Sequence, residues 1–239
     1  MQTLMKLESL TKKYGDKYCL GPINLTIHHG ETIALIGPNG AGKTTLFSII
    51  TGHIDASDGS ALFNNQLVKP QAFALKRHFG YLPQDLGFPA WVTPIELLHY
   101  NAALHQVENA VQKIQSLLDK WQINDYQHRP LAACSHGMQK RVGLALSTLH
   151  NPSLLILDEP FSGLDLYHMK TLENLIVERS QAQQTTILST HIIPYAARIC
   201  DHVLIIKAGK IRALDSWQSA NWETRITLVE DQFFKLERS

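Results

Sequence analysis

The sequence has few cysteines, and the three it has are not clustered. Cys19, Cys134 and Cys200 lie far apart, and no C-x-x-C pair occurs. Disulfide-rich secreted domains and cysteine-based zinc sites both depend on closer spacings. The sequence has twelve histidines but no H-E-x-x-H pattern. We therefore expect neither a disulfide framework nor a zinc site, and the composition favours a reduced, cytosolic compartment.

Long apolar runs and an excess of charge are also lacking. No stretch approaches the ~18 to 20 apolar residues that span a bilayer, and the first ten residues lack the apolar segment of a secretion signal. Lysine and arginine number 22 against 21 acidic residues, a net charge of +1. Such a balance gives no electrostatic attraction for nucleic acid or an anionic membrane surface. We expect no nucleic-acid partner and no membrane span in this chain.

Apolar residues make up 44% of the 239 positions, enough for the core of one large domain. Short apolar runs separated by helical patterns read as buried strands. They occupy residues Thr32–Ile36, Leu154–Leu157, 186–189 and 203–206. Strands that alternate with helices indicate an α/β fold with a mostly parallel sheet, whose ligand chemistry lies at the carboxyl ends of the strands.

Two further regions have different patterns. Stretches 4–10, 23–27, 60–63 and 76–82 resemble half-exposed antiparallel strands and predict a smaller β layer. From residue 89 to 129, apolar residues recur every three or four positions, which predicts an all-helical insert of about forty residues. The expected single domain consists of a core and β layer at 1–88 and 150–214, a helical insert at about 89–149, and a short tail at 215–239.

A glycine-rich segment directly follows the first buried strand. It has the form G-x-x-x-x-G-K-T and precedes a helical run; its residues are Gly37, Pro38, Asn39, Gly40, Ala41, Gly42, Lys43, Thr44 and the adjoining Thr45. Glycines let the backbone turn its N–H groups around an anion, and the helix presents its positive end to phosphates. Lys43 would reach the β and γ phosphates of a nucleotide, and Thr44 would ligate Mg²⁺. A chance glycine-rich turn is the alternative.

Two adjacent acids, Asp158 and Glu159, end the strand Leu154–Leu157. Alternation along a strand directs their side chains differently, which suits a division of labour. Asp158 can hold Mg²⁺ through water, and Glu159 can polarise the water that attacks the γ phosphate. An acidic helix cap is the alternative, and it loses weight beside a phosphate-binding loop.

With these motifs the chain resembles the nucleotide-binding subunits of ABC transporters, from about residue 4 to residue 214. The resemblance implies roles for further residues. Tyr14 matches the aromatic residue that stacks on adenine. Gln84 matches the Q-loop glutamine that touches Mg²⁺ and the attacking water. His191, directly after the strand at 186–189, matches the H-loop histidine that contacts the γ phosphate.

The family's signature motif has its counterpart in residues 134–141, C-S-H-G-M-Q-K-R. Ser135 and Gly137 match the common L-S-G-G-Q, whereas Cys134, His136 and Met138 depart from it. At the start of a helix expected at 138–149, the serine hydroxyl and glycine N–H can bind a γ phosphate. We interpret His136 as facing solvent and Cys134 as a packing residue. Residues 161–165, F-S-G-L-D, resemble the D-loop.

The resemblance further implies how the chain works. Two chains would associate head to tail, with itself or a related ATPase, around two ATP molecules, and each signature would complete the partner's site. Separate transmembrane subunits would dock near Asp85 to Trp91, so the chain would lie in the cytoplasm on the inner face of the membrane. Three features favour a bacterial exporter-type subunit: the S-x-G-M signature, the sequence G-Y-L-P-Q at 80–84 and the tail at 228–236.

Three alternatives stay open from the sequence. A soluble ABC ATPase that acts on DNA or ribosomes would usually have a long coiled coil or two cassettes. A P-loop kinase or GTPase would lack the signature, D-loop and H-loop motifs. A regulatory subunit that binds ATP without hydrolysing it would not need Glu159, Gln84 and His191. Substrate identity cannot be read, because the membrane subunits select it.

Overall fold

Two β-sheets form the frame of the protein in a computed structural model, which describes residues 2–15, 17–214, 217 and 220–237. The larger sheet has six strands in the order β10-β9-β3-β8-β7-β6. Its strands are β3 (Thr32–Ile36), β6 (Phe79–Leu82), β7 (Leu154–Leu157), β8 (Thr185–Ser189), β9 (His202–Lys207) and β10 (Lys210–Ala213). All neighbours pair in parallel except the edge hairpin of β9 and β10.

The central strands are buried along their whole length, as expected for a parallel sheet covered on both faces. Every residue of β3, β7 and β8 is buried, which explains why their sequences are continuous runs rather than alternating patterns. Parallel pairing also places the carboxyl ends of β3, β7 and β8 side by side. The loops that leave these three ends therefore meet at one edge of the sheet.

The smaller sheet is antiparallel, with the order β2-β1-β4-β5. Its strands are β1 (Thr3–Tyr14), β2 (Lys17–His28), β4 (Asp58–Phe63) and β5 (Gln66–Leu67). Its buried side chains, including Leu4, Leu10 and Phe63, share one apolar cluster with Phe47 of the first helix and Ile156 of β7. The helix is therefore held between the two sheets by apolar contacts on both sides.

The prediction that residues 76–82 form an antiparallel strand of this smaller sheet was wrong. A short helix, α2 (Phe73–Lys76), comes first, and β6 then pairs in parallel with β7 in the main sheet, with Phe79 opposite Leu154. A strand of four residues is too short for its pattern to show which sheet it joins. Its place is set by non-local packing: a side chain at Gly80 would collide with the carbonyl of Ser147.

The remaining helices cover the main sheet and form the predicted helical segment. They are α1 (Lys43–Ile50), α3 (Pro94–Leu104), α4 (Ala110–Lys120), α5 (His136–Thr148), α6 (Leu166–Gln181), α7 (Ile193–Ile199) and α8 (Trp222–Glu237), with 3₁₀ turns at Asn124–Tyr126 and Leu131–Ala133. The predicted α/β class, with a parallel core sheet, an antiparallel layer and inserted helices, is confirmed. The predicted domain boundaries stay a prediction.

Two details differ from expectation or fall outside it. Helix α5 begins at His136 rather than at residue 138, because Ser135 caps it by accepting a hydrogen bond from the Met138 amide.

Within the tail, Arg225 of α8 donates to the Ala197 carbonyl of α7 at 3.1 Å. Residues 215, 216, 218, 219, 238 and 239 of the predicted tail lie outside the described residues. No helix in the described ranges has the length and apolar character needed to cross a membrane.

Candidate active site

The glycine-rich loop leaves the carboxyl end of β3 and leads into α1. Gly42, at the N-cap of α1, has φ 107, a conformation that a side chain would strain. A Cβ at Gly37 would collide with the carbonyl of Ile206, so the loop can lie directly against β9 only with glycine there. The backbone therefore turns tightly and brings the positive end of α1 to the edge where β3, β7 and β8 end.

Lys43 curves over this loop. Its ammonium donates to the carbonyls of Gly37 at 2.7 Å and Pro38 at 3.2 Å, and the residue is 8% exposed. These bonds hold the cation beside the loop backbone that the sequence predicts as the phosphate cradle. Asn39 and Gly40, at the outer turn of the loop, are exposed. The charge of Lys43 therefore lies beside the loop, where it favours a bound anion.

Asp158 is fully buried at the end of β7 and accepts two short hydrogen bonds. Thr44 donates to Oδ2 at 2.6 Å, and Ser189 donates to Oδ1 at 2.5 Å. Thr44 and Asp158, each predicted separately as a ligand of Mg²⁺, are thus hydrogen-bonded to each other. Burial, and next the negative charge of Asp158, raise the pKa of the neighbouring Tyr81 to about 12. The carboxylate is fixed by its partners, as a ligand-holding group must be.

Glu159 has a different environment from its neighbour. Its φ of 49 lies in the left-handed region, which is uncommon for a residue with a side chain. Ser189 accepts its backbone N–H at 2.8 Å, and its carboxylate lies 2.8 Å from Nδ1 of His191. The side chain of Glu159 is 13% exposed and that of His191 is 71% exposed. The turn therefore directs Glu159 away from Asp158 and toward the histidine.

A cavity of about 450 Å³ opens between these groups. It is lined by Ile36, Gly37, Pro38, Asn39, Glu159, His191 and Ile193. A cleft of about 230 Å³ adjoins it and shares Asn39, Glu159 and His191. The other residues of this cleft are Gln84, Asp85, His136, Lys140 and Ser162. The structure therefore brings the P-loop, both acids, Gln84 and His191 together at one edge.

Tyr14 lies apart from this cavity. It ends β1 and is 56% exposed, with the ammonium of Lys12 at 5.3 Å from its ring centroid. The hairpin to which it belongs does reach the P-loop, because Cys19 of β2 donates to the Thr45 hydroxyl at 3.4 Å. An aromatic ring on the edge of such a hairpin is available for stacking on a flat ligand.

Ser135 and Gly137 also line neither the cavity nor the adjoining cleft of their own chain. Ser135 is exposed at the start of α5, and Gly137 lies so close to the carbonyl of Gly163 that a Cβ would meet it at 2.6 Å. The predicted signature and D-loop segments are therefore packed against each other. His136 is exposed, as expected, and Cys134 is a packing residue at 7% exposure.

Ser189 and Lys140 are two site residues that the sequence reasoning missed. The Ser189 hydroxyl donates to the Asp158 carboxylate and accepts the backbone N–H of Glu159. The sequence feature that could have identified it is its position at the end of a strand, two residues before His191. Lys140 is 1% exposed on α5 and lines the cleft with Glu159. Its sequence context gives little indication of this role, because a lysine on a helix is usually expected to face solvent.

The donor atoms at this edge are suited to a hard cation. The hydroxyl of Thr44 and the carboxylate of Asp158 lie within hydrogen-bond distance of each other, and the amide of Gln84 lies in the adjoining cleft. Oxygen ligands of this kind, completed by phosphate oxygens and water, are the usual environment of Mg²⁺. Within the described residues, no group of three or more histidine, cysteine or acidic side chains could hold a metal by itself.

The fold and this edge together define a P-loop nucleotide-binding protein of the α/β class. A family model described as ABC transporter matches residues 20–162. An uncharacterized ABC transporter ATP-binding protein of Methanocaldococcus jannaschii is 36% identical over 212 residues, 88% of this chain and 76% of that protein. The lantibiotic transport ATP-binding protein SrtF of Streptococcus pyogenes is 31% identical, over 87% of this chain and 89% of SrtF.

Solved structures agree with the fold. An ATP-binding subunit of an ABC transporter superposes with a TM-score of 0.84 at 27% identity, over 95% of this chain and 99% of that subunit. A dimeric ATP-binding cassette bound to ADP and Pi superposes with a TM-score of 0.81 at 22% identity, over 88% of this chain and 99% of the cassette, a likeness of fold. The chain belongs to the ABC transporter family of ATP-binding proteins and is an ATPase of that family.

Proposed function

We propose that this ATPase powers the movement of a substrate, in the direction of export, through separate transmembrane subunits. The observation that carries the catalytic part is the convergence of Lys43, Thr44, Asp158, Glu159 and His191 at one sheet edge. Membership in the ABC transporter family supports the transport part of the proposal. The alternative is a soluble ABC ATPase that has no membrane partner.

In this proposal, the phosphates of ATP bind to the loop at residues 37–42 and to the start of α1. Backbone N–H groups and Lys43 hold the β and γ phosphates, Thr45 follows Thr44 at the helix start, and Tyr14 stacks on adenine. Thr44, Gln84 and Asp158 would hold Mg²⁺. When bound, Mg²⁺ neutralises charge that develops on the phosphate oxygens. Hydrogen bonds from Thr44 and Ser189 keep the Asp158 carboxylate in one orientation.

Glu159, Gln84 and His191 carry out the proposed hydrolysis. Glu159 accepts a proton from the water that attacks the γ phosphate, and Gln84 orients that water. His191 contacts the γ phosphate, and its ring is already 2.8 Å from the Glu159 carboxylate. The bond between the Ser189 hydroxyl and the Glu159 amide keeps the strained turn in place. The carboxylate therefore needs little reorganisation before it acts.

The proposed site is completed by a second copy or a related chain. Ser135 and Gly137 line neither the cavity nor the adjoining cleft described above but stand at the start of α5, where a hydroxyl and backbone N–H groups can bind a γ phosphate. Head-to-tail association would place them on the partner's ATP, which makes the nucleotide part of the interface. Hydrolysis then removes that link, and the pair opens.

The proposed membrane partner docks at Asp85 to Trp91, which places the chain on the cytoplasmic face of the membrane. Trp91 is 79% exposed, as a docking residue must be. Leu86 and Phe88 of the same segment are half-buried against the core, so they offer a partner less surface than Trp91 does. The S-x-G-M signature supports the export direction, and the relative named for lantibiotic transport supports a transport role.

The central prediction concerns Glu159→Gln. Removal of the proposed base leaves nucleotide binding intact, so we expect ATP hydrolysis to fall at least ~100-fold while ATP drives dimerisation. Steady-state hydrolysis and size-exclusion chromatography in ATP measure the two effects. Glu178→Gln is the matched control, because that glutamate is an exposed surface residue of α6 paired with Lys120.

Each outcome bears on a different part of the proposal. If Glu159→Gln hydrolyses ATP as fast as wild type, its assignment as the base is wrong. If the inactive variant stays monomeric in ATP, the head-to-tail arrangement fails. Copurification of the chain with a membrane protein would support the transport role, whereas its absence would favour a soluble ATPase.

A further inference from the structure

Lys140 is a buried cation within the catalytic region. It lies in the second turn of α5 and is 1% exposed, although lysine is rarely buried without a partner. Among the described residues, its ammonium has no hydrogen bond and no ion pair. It lines the cleft of about 230 Å³ together with Gln84, Asp85 and Glu159. The charge is therefore directed into a functional cleft rather than into solvent.

Acidic groups surround this ammonium at longer range. Burial lowers the pKa of Lys140, whereas the charges of Asp158, Glu159 and Asp85 act in the opposite direction. An isolated charge in such a place costs free energy that methionine, with a similar shape, would avoid. The three carboxylates offset part of that cost, because electrostatic interactions are strong where water is scarce.

The position of Lys140 links three parts of the chain. Helix α5 carries the signature residues at its start, the loop after β6 carries Gln84 and Asp85, and β7 ends at the catalytic acids. All three meet at this cleft, which shares Glu159 and His191 with the main cavity. A single cation between them can fix the distance from the helical segment to the acids.

We propose that Lys140 is a positioning residue: its ammonium attracts the Glu159 and Asp85 carboxylates and so holds Glu159 in the geometry needed for water attack. This inference rests on the proposed role of Glu159 as the base. The attraction acts before the reaction starts, so it lowers the cost of ordering the site in the transition state. Substrate affinity depends instead on the phosphate contacts of the P-loop. Lys140 shares the cleft with Asn39 of that loop but does not line the main cavity.

The test compares Lys140→Met with Lys140→Arg and with Lys113→Met, which removes the same charge from an exposed position on α4. For Lys140→Met we expect kcat to fall about tenfold or more with KM for ATP nearly unchanged. The melting temperature should stay the same or rise, because an unpaired buried charge is lost. Lys140→Arg keeps the charge and should recover much of the lost kcat, and Lys113→Met should match wild type.

Two results would contradict the proposed role of Lys140, and a parallel assay separates that role from the proposed role of Glu159. Wild-type kcat in Lys140→Met shows that the charge is not needed. A lower melting temperature with equal loss of activity in Lys140→Met and Lys140→Arg shows a packing role only. Glu159→Gln, assayed in parallel, keeps the two proposals separate: if it is active, the assignment of the base fails. If it is inactive while Lys140→Met retains full activity, only the inference about Lys140 fails.

Discussion

At the scale of single residues, His150 shows how burial sets a chemical property. Its Nε2 lies 3.0 Å from the Phe79 carbonyl, so that nitrogen must carry a hydrogen, and Nδ1 is buried without a partner. The ring stacks on His105 with centroids 3.9 Å apart. Burial, with His105 and Arg179 acting in the same direction, lowers the pKa of His150 to about 4. The native protein therefore holds this imidazole neutral.

The pH dependence of stability follows from that difference. An unfolded histidine has a pKa of about 6.5, so below this value the unfolded chain binds a proton that the native chain excludes. Stability from His150 is present above pH ~6.5 and is lost as the pH falls toward ~4. Between pH ~7.5 and ~5 we expect the free energy of unfolding to fall by about 2 kcal/mol from this group. Denaturant titration at each pH measures the change.

Two variants check the origin of this effect. His150→Gln keeps a donor for the Phe79 carbonyl but does not titrate, so most of the loss between these pH values should disappear. His99→Gln removes an exposed histidine of α3 and should leave the loss unchanged. An equal pH dependence in wild type and His150→Gln would contradict the assignment.

At the scale of elements, two helices begin with the same capping chemistry, and only one of them is proposed to have a second role. Thr93 caps α3 in a capping box with Glu96, and Ser135 caps α5 through the Met138 amide. A hydroxyl cap contributes about 1 kcal/mol to stability, since it satisfies an N–H group that has no partner within the helix. In the proposed dimer, the hydroxyl of Ser135 also donates to the partner's γ phosphate.

The two caps can therefore be separated by substitution. Thr93→Ala and Ser135→Ala should each lower the free energy of unfolding by about 1 kcal/mol. Only Ser135→Ala should weaken ATP-dependent dimerisation, measured by size-exclusion chromatography in the Glu159→Gln background. If both variants dimerise equally well, Ser135 acts as a cap and has no role at the interface.

The elements also show what the sequence could predict and what it could not. Strands β3 and β7 match their predicted bounds, because a short, continuous apolar run between helical patterns is typical of a buried parallel strand. The site motifs at their ends were predictable for the same reason. Strand β6 was misassigned, and Ser189 and Lys140 were missed, because their roles depend on neighbours distant in sequence. Local patterns do not contain that information.

At the scale of the whole molecule, the segment proposed to contact a membrane partner, Asp85 to Trp91, varies in exposure along its length. Trp91 is 79% exposed, whereas Phe88 of the same segment packs near Gly143 of α5. A substitution at Phe88 would therefore disturb the core and could not report on docking alone. Trp91 is the suitable position, because an exposed indole is buried only when a partner covers it.

We expect Trp91→Asp to weaken association with the membrane subunits by about 2 kcal/mol or more, roughly 30-fold in affinity, because a central aromatic contact becomes a charge. Copurification from membranes measures the loss, and circular dichroism with thermal melting verifies that the variant folds. Phe73→Asp is the control, since Phe73 is 74% exposed outside the proposed surface. Equal recovery of wild type and Trp91→Asp would place the docking surface elsewhere, whereas loss in both variants would show that any added surface charge disrupts the complex.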